Sequence, residues 1–233
     1  MLLLNLLKDT TFKTLIMKKN NILIILIIIF GSSLTLQSQN KFSKKKIDNL
    51  KNQLAKIVDD DKKKTQVMVD KIFSFGELGF QEFETSKYTG RILEDNGFEV
   101  EYQISDIPTS WLATWSNGEG GPTIAMGSDF DGVPSTSQYP GVAYEKPVVD
   151  GAPGHGEGHN IGLPIVITSA IALKKIMIEN NINGTLVLWP GVAEEILGAK
   201  AWYVRDGYFD NVDMCIFTHV STNMSTSWGK ATG

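Results

Sequence analysis

Three short apolar stretches alternate with two helical stretches in the second half of the chain, and this order constrains the fold most. Pro122 to Gly127, Thr185 to Trp189 and Met214 to Phe217 are typical of strands, while Ile161 to about Asn180 and Glu194 to about Arg205 are typical of helices. A β-α-β-α-β order with apolar strands predicts an α/β fold, with a mostly parallel sheet and helices on both faces. Right-handed crossovers then bring the C-terminal ends of the strands to one edge, where ligands bind.

Side chains of the types that bind metal ions are predicted to lie at this edge. They are Asp129 and Asp131 after the first strand, Glu194 and Glu195 after the second, His219 at the end of the third, and His155, Glu157 and His159 before the first of the two helices. Each has an ordinary explanation by itself: an acidic pair stabilises a helix N-terminus, and a loop histidine can be a solvated surface residue. Their convergence, which includes all three histidines of the chain, favours a shared metal site.

The segment from Gly154 to Asn160 is rich in glycine and follows a loop of about twenty residues, a length that is usually functional inside a compact domain. Glycine lets such a backbone turn sharply and approach a ligand closely. Asn160 is predicted to be the N-cap of the following buried helix. Nitrogen and carboxylate donors without a nearby thiolate suit Zn, Mn or Co(II).

The adjacent glutamates Glu194 and Glu195 indicate a chemistry for this site. Hydrolysis of an amide at a metal centre needs one carboxylate that binds the metal and another that is free to take and return a proton. The sequence therefore predicts metal-assisted hydrolysis.

Helices and a pair of strands are predicted before this region. Apolar residues recur at helical spacing from Lys44 to Phe75, as one amphipathic helix or two, with Asp59 to Lys64 as a solvated face or a break. Thr85 to Asn96 is a further helix that Gly97 ends. Phe98 to Ile104 and Trp111 to Trp115 alternate like strands.

The N-terminus has the organisation of a secretory signal. A charged segment, Met17 to Asn21, precedes an apolar one, Ile22 to Phe30, and then small and polar residues as far as Ser38. The apolar segment is short for a membrane span, which needs about 20 residues. We expect a signal peptide over residues 1–38, with Met17 as an alternative start, and export to the periplasm or the medium. An uncleaved membrane anchor is the alternative.

Composition excludes some classes of protein. Hydrophobic residues make up 42% and charged residues 21%, as in ordinary globular proteins. The net charge of −4, with lysines interleaved among acids, argues against a nucleic-acid partner. The single cysteine, Cys215, excludes an internal disulfide and is predicted to be a buried, inert thiol. No GxGxxG follows the first strand, which disfavours dinucleotide binding.

Five ordered motifs resemble those of the dinuclear-metal amidohydrolases of the aminoacylase and carboxypeptidase G group, and most closely the aminobenzoyl-glutamate hydrolase branch. The resemblance runs from about residue 65 to the end of the chain. The motifs are Phe73 to Val100 with Glu77 to Glu82 inside it, Gly127 to Pro134, Gly154 to Asn160, Pro190 to Glu195 and Val204 to Val220. The resemblance implies a catalytic domain of that family over residues 65–233. This domain follows the signal peptide and an N-terminal helical segment over residues 39–64.

The resemblance also implies roles for individual residues around two divalent ions, Zn or Mn with Co as an alternative. His159, Glu195 and His219 correspond to metal ligands, and Glu194 corresponds to the general base. Glu157 stands where the branch often has a metal-bridging cysteine; a carboxylate can also bridge two ions, or the change marks altered or lost activity.

Three further residues are expected near the metal rather than on it. His155, Asp129 and Asp131 are predicted to orient ligands or to touch the substrate.

Members of the family typically run about twice as far, with an inserted lid and dimerisation domain. The chain is accordingly expected to correspond to the N-terminal half, truncated before that domain. The implied substrates are N-acyl or aminobenzoyl amino acids or small peptides. A separate C-terminal chain is the expected partner, or a homodimer where the lid domain is present. The alternative is a remnant or split subunit that binds metal or ligand without turnover.

Overall fold

The computed structural model describes residues 42–221 and residue 226, so the predicted signal peptide lies outside the described residues. The chain divides after Ile47, and the sheet belongs to the second unit, Asp48–Gly233. The helices are α1 (Lys44–Asp60), α2 (Lys62–Phe75), α3 (Phe83–Asp95), α4 (His159–Glu179) and α5 (Lys200–Arg205). The strands are β1 (Glu99–Tyr102), β2 (Trp111–Asn117), β3 (Thr123–Asp129), β4 (Gly184–Gly191) and β5 (Met214–Thr218). Short 3-10 helices cover Ile104–Asp106 and Glu194–Ile196.

The five strands form one sheet in the order β1-β2-β4-β3-β5. The predicted β-α-β-α-β unit consists of β3, α4, β4, α5 and β5, and β3 pairs in parallel with both β4 and β5. The β1 and β2 strands form an antiparallel hairpin that joins the other side of β4, also antiparallel. The predicted α/β class is confirmed as a mixed α/β fold in which helices flank a five-stranded sheet.

Helix α4 covers one face of the sheet. A Cβ atom on Gly162 would collide with the Ser128 hydroxyl, so glycine lets the helix lie close against β3. Leu163, Ile167 and Ala170 are fully buried, and burial of each larger apolar side chain contributes about 1.5–3 kcal/mol. Among the described helices, α4 alone is long and apolar enough to cross a membrane, but more than half of that stretch is buried inside the fold, as in the core helix of a globular protein.

Aromatic packing fills the opposite face. The ring of Trp189 on β4 makes edge contacts with Tyr203 on α5 at 6.3 Å and with Phe209 at 5.2 Å, and it lies 5.3 Å from Phe217 on β5. Gly127 on β3 leaves the space for this indole, because a Cβ there would overlap it. Helical segments therefore cover both faces of the parallel strands.

The N-terminal elements follow the predicted pattern. Helices α1 and α2 are two separate helices that meet at Asp61. The run of acidic and basic residues from Asp59 to Lys64 is therefore a break between helices. Helix α3 ends at Asp95, and Gly97 follows with a positive φ of 73°.

The start of α4 differs from the prediction. His159 is already helical, and Gly158 is the N-cap residue with a φ of 78°. Glycine adopts this left-handed conformation without steric cost, so the turn occurs there. The prediction of Asn160 as the N-cap is wrong; its side-chain amide instead donates to the Val69 carbonyl at 3.4 Å.

The predicted continuous helix from Glu194 to Arg205 is also wrong. A 3-10 turn ends at Ile196, and Leu197 and Ala199 adopt φ values of 57° and 56° before α5 begins. The intervening Gly198 packs so closely that a Cβ would lie 2.8 Å from the Phe80 ring. The backbone therefore turns where a helix would have continued, and Gly198 lies in close contact with Phe80 at this turn.

The predicted burial of Cys215 is wrong as well. The residue is exposed, because β5 lies at the edge of the sheet and four of its five residues are exposed. A run of apolar residues indicates a strand, but it does not tell whether a further strand covers its outer side.

Candidate metal centre

Two histidines from distant parts of the chain meet at the C-terminal edge of the parallel strands. The Nε2 atoms of His159, at the start of α4, and His219, directly after β5, are 3.2 Å apart. The carboxylate of Glu157 lies 3.9 Å from the first of these atoms and 3.7 Å from the second. The loop, the helix start and the strand end thus bring their donor atoms to one point.

The other nitrogen of each imidazole is already engaged. His159 Nδ1 lies 3.0 Å from the backbone carbonyl of Asp131, and His219 Nδ1 lies 2.7 Å from that of Val220. A carbonyl oxygen only accepts hydrogen bonds, so each Nδ1 carries the proton and donates it. Both Nε2 lone pairs then face each other across 3.2 Å, an arrangement that a shared cation stabilises.

Asp131 connects this histidine to the glutamate pair. Its buried carboxylate accepts a hydrogen bond from the Glu195 backbone N–H at 3.0 Å, and its other oxygen lies 3.3 Å from His159 Nδ1. The side chain of Glu195 is itself 3.9 Å from the same nitrogen. One buried acid therefore fixes the orientation of the ring and the position of the loop after β4.

Two overlapping groups of side chains have the geometry of a metal site. One contains Glu157, His159 and Glu195; the other contains Asp129, His159, Glu194 and His219. Within each group the potential ligand atoms lie within 4.8 Å of one another. The structure thus brings together the predicted ligands and the predicted base, with Asp129 close beside them; the role of each residue stays a prediction.

Negative charge exceeds positive charge in this small region. Burial raises the pKa of the Glu195 carboxyl, and the nearby acids, with Glu157 first, raise it further. Burial lowers the pKa of His159, but the hydrogen bond to Asp131 and the charges of Asp129 and Asp131 outweigh it, so the net direction is upward. The site therefore favours a bound positive charge.

A buried oxygen without a partner points to the same ligand. The Oε1 atom of Glu195 is buried and accepts no hydrogen bond from the described residues. Buried polar atoms are normally paired, and buried charges pair with each other or coordinate metals. Imidazole and carboxylate donors at this spacing fit divalent ions such as Zn or Mn.

His155 lies outside both groups. Its Nε2 atom is 3.1 Å from the Ile72 carbonyl, and burial lowers its pKa to about 4. The ring is therefore neutral and buried, and its Nε2 atom contacts α2 instead of joining either group.

Two residues at the site were not predicted from the sequence. Lys200, the first residue of α5, places its Nζ atom 2.8 Å from Asp129 Oδ1 and 3.8 Å from Glu194 Oε1. Glu82, fully buried, accepts a hydrogen bond from the Ala193 N–H at 2.8 Å and another from the Thr109 hydroxyl at 2.8 Å. In the sequence, both look like ordinary charged residues of helix ends.

Comparison with known proteins identifies relatives of this chain. It is 32% identical over 162 residues to one of the subunits of the p-aminobenzoyl-glutamate hydrolase of Escherichia coli, covering 70% of this chain and 33% of the relative. It is 31% identical over 139 residues to hippurate hydrolase of Campylobacter jejuni, covering 59% and 33%. A dinuclear-metal-binding peptidase of the M20 family from Bacillus subtilis superposes with a TM-score of 0.59 at 26% identity, covering 68% of this chain and 43% of that one. No family model matches the chain.

The chain belongs to the M20 family of metal-dependent amidohydrolases and peptidases. The resemblance inferred from the five motifs is thereby confirmed. Dinuclear metal binding is a property of the family, and the cluster around His159 is the corresponding candidate ligand set. The chain spans about a third of the length of the curated relatives that it matches.

We expect the Glu82 carboxyl to make stability depend on pH. Burial raises its pKa, although its hydrogen bonds oppose this effect, so the folded state binds this proton more tightly than the unfolded state. The contribution of Glu82 to the free energy of unfolding is therefore most favourable at low pH. It is lost as pH rises from the ordinary glutamate pKa to the raised pKa of the folded state. Each tenfold difference in proton affinity between the folded and unfolded states equals about 1.4 kcal/mol. Glu82→Gln keeps an acceptor for Ala193 and should flatten this part of the profile in urea unfolding from about pH 4 to about pH 8.

Glu82→Ala is the matched comparison. It leaves the Ala193 N–H unpaired and should cost about 1–3 kcal/mol at every pH. Equal pH profiles for the wild type and Glu82→Gln would contradict the raised pKa.

Proposed function

We propose that the chain carries the metal-binding catalytic part of an enzyme that hydrolyses the amide bond of N-acyl or aminobenzoyl amino acids or of small peptides. The observation that supports this proposal most is the facing pair of Nε2 lone pairs of His159 and His219, surrounded by carboxylates. The relatives named for aminobenzoyl-glutamate and hippurate hydrolysis support the substrate class.

In this proposal, Glu157, His159, Glu195 and His219 hold two divalent ions, Zn or Mn, with Co as an alternative. A bound divalent ion supplies Lewis acidity, which polarises an amide carbonyl and makes water more acidic. Glu157 replaces the thiolate common in this branch, and its two oxygens make the ligand set harder. Asp131 holds the His159 ring through Nδ1, so that Nε2 points to the shared ligand position.

Glu194 is the general base of the proposal. Its side chain is part of the second group of donor atoms but, unlike Asp129, it is partly exposed, at 30%. A carboxylate in this position can take a proton from the attacking water and return it to the leaving amine. The adjacent Glu195 is held by Asp131 through its backbone N–H, which leaves the two glutamates in different roles.

Substitutions separate binding from catalysis. His159→Ala and Glu195→Ala should each lower the affinity for Zn or Mn at least tenfold in calorimetric titrations, because each removes a ligand. Glu194→Gln should bind metal like the wild type and lose about 10²–10⁴-fold in hydrolysis of a panel of N-acyl amino acids.

Glu145→Gln, on an exposed part of the long loop, is the control for loss of one negative charge and should change neither measurement. An active Glu194→Gln variant would refute the base assignment. Metal binding by a wild-type chain that hydrolyses none of the panel would favour the non-catalytic alternative.

A second candidate is a subunit that works only in an assembly, and the exposed strand β5 favours it. Its Met214, Ile216 and Phe217 side chains are more than a third exposed, and no charge or proline protects the strand. Such an uncharged edge strand can pair with another chain. The partner that we propose is a second copy of the chain, paired through β5.

Light scattering after size-exclusion chromatography tests this assembly. The wild type should be a dimer, and Met214→Lys should shift it to a monomer because a lysine on an edge strand opposes pairing. Tyr102→Lys, on the opposite edge strand β1, is the matched control and should leave the dimer intact. A monomeric wild type would exclude the candidate.

We also propose that the protein is exported, on the strength of the charged and apolar segments before residue 38. Sequencing the N-terminus of the mature protein would reveal removal of about 38 residues; an intact N-terminus in the membrane fraction would favour the anchor instead.

A further inference from the structure

Lys200 lies at the rim of the candidate metal centre, beside a buried carboxylate. Its Nζ atom forms an ion pair of 2.8 Å with Asp129, a carboxylate that is 1% exposed, and lies 4.6 Å from the centroid of the Phe217 ring. Its aliphatic part passes Gly191, where a Cβ would lie 3.0 Å from Lys200 Cε. These contacts place the ammonium at the end of β3 and β4.

This ammonium lies among atoms that could otherwise hold a metal. Asp129 and Glu194 belong with His159 and His219 to one of the two groups of potential ligands. Lys200 is 2.8 Å from the first of these carboxylates and 3.8 Å from the second. By contrast, no ion pair with a lysine or arginine connects to Glu157 or Glu195 among the described residues.

We propose that Lys200 is a built-in cation that neutralises Asp129 and excludes a divalent ion from the side of the site formed by Asp129 and Glu194. Divalent ions are thereby restricted to the side formed by Glu157 and Glu195, together with the two imidazoles. Lys200 is a positioning residue: it keeps Glu194 free of metal, in the state that a general base requires. The inference rests on the proposed function for the identity of the ligands.

Replacement of Lys200 by a neutral side chain should convert an ammonium site into a metal site. Lys200→Met keeps the aliphatic chain beside Gly191 but frees both carboxylates. We expect calorimetric titration with Mn²⁺ to give a dissociation constant at least tenfold lower than that of the wild type. Lys200→Arg keeps the positive charge and should bind Mn²⁺ like the wild type.

Thermal unfolding distinguishes this role from a merely structural ion pair. Without metal, Lys200→Met leaves Asp129 buried and unpaired, so its melting temperature should fall below that of the wild type. Saturating Mn²⁺ should restore it, with a larger increase than the wild type shows. A structural role alone would predict a loss of stability that Mn²⁺ does not restore, and that result would overturn the proposal.

Asp129→Asn keeps the test decisive if Lys200→Met does not fold. This variant should bind Mn²⁺ as the wild type does, because Asp129 is not a ligand in the wild type; loss of binding would overturn the proposal. The double variant Asp129→Asn with Lys200→Met removes both charges, and the gain in affinity seen in Lys200→Met should disappear.

The outcomes separate this inference from the proposed function. Wild-type binding with equal or weaker binding by Lys200→Met would overturn the role of Lys200 and leave the hydrolase proposal intact. If Lys200→Met binds Mn²⁺ and the wild type does not, the role of Lys200 as a built-in cation is supported, and the proposal that the wild type is metal-dependent is refuted. Absence of binding in both would overturn both proposals.

Discussion

The crowding of carboxylates around His159 is the constraint on which the rest of the site depends. Three parallel strands end at one edge, so acidic residues from separate crossovers lie within a few ångströms of one another. Like charges in a partly buried space repel strongly, because little water screens them. The arrangement is stable only with positive charge among the acids, and the described residues supply one ammonium, that of Lys200, and the imidazoles.

Asp131 connects the His159 ring to the backbone of the turn after β4. Its carboxylate and its carbonyl group both reach the ring of His159, and the same carboxylate holds the Glu195 N–H. Glu82 holds the neighbouring Ala193 N–H from the other side. The turn that carries the glutamate pair is therefore fixed by two buried acids, which explains how a short segment with left-handed residues keeps a defined shape. Stability and function are coupled there, since the hydrogen bonds that offset the burial of both acids also position the glutamates.

The sequence predicted those parts of the fold that depend on local patterns. Apolar runs and glycine breaks identified the parallel unit, and the strand ends then placed the acids and histidines on one edge. The position of the β1–β2 hairpin beside β4 could not be predicted, because alternation within a strand carries no information about its neighbour. The exposure of Cys215 was missed for the same reason: edge strands and central strands can share one apolar pattern.

The missed contact of Lys200 and the incorrect helix from Glu194 to Arg205 have one cause. In a continuous helix, six residues turn through about 600° and rise about 9 Å, which would carry Lys200 away from Glu194 and towards a different side. The turn at Leu197 to Ala199 reverses this displacement and brings the ammonium back to Asp129. Within that turn Gly198 packs against Phe80, a residue more than one hundred positions earlier in the chain. A contact so distant leaves no local pattern, so the charge balance of the site becomes visible only once the chain is folded.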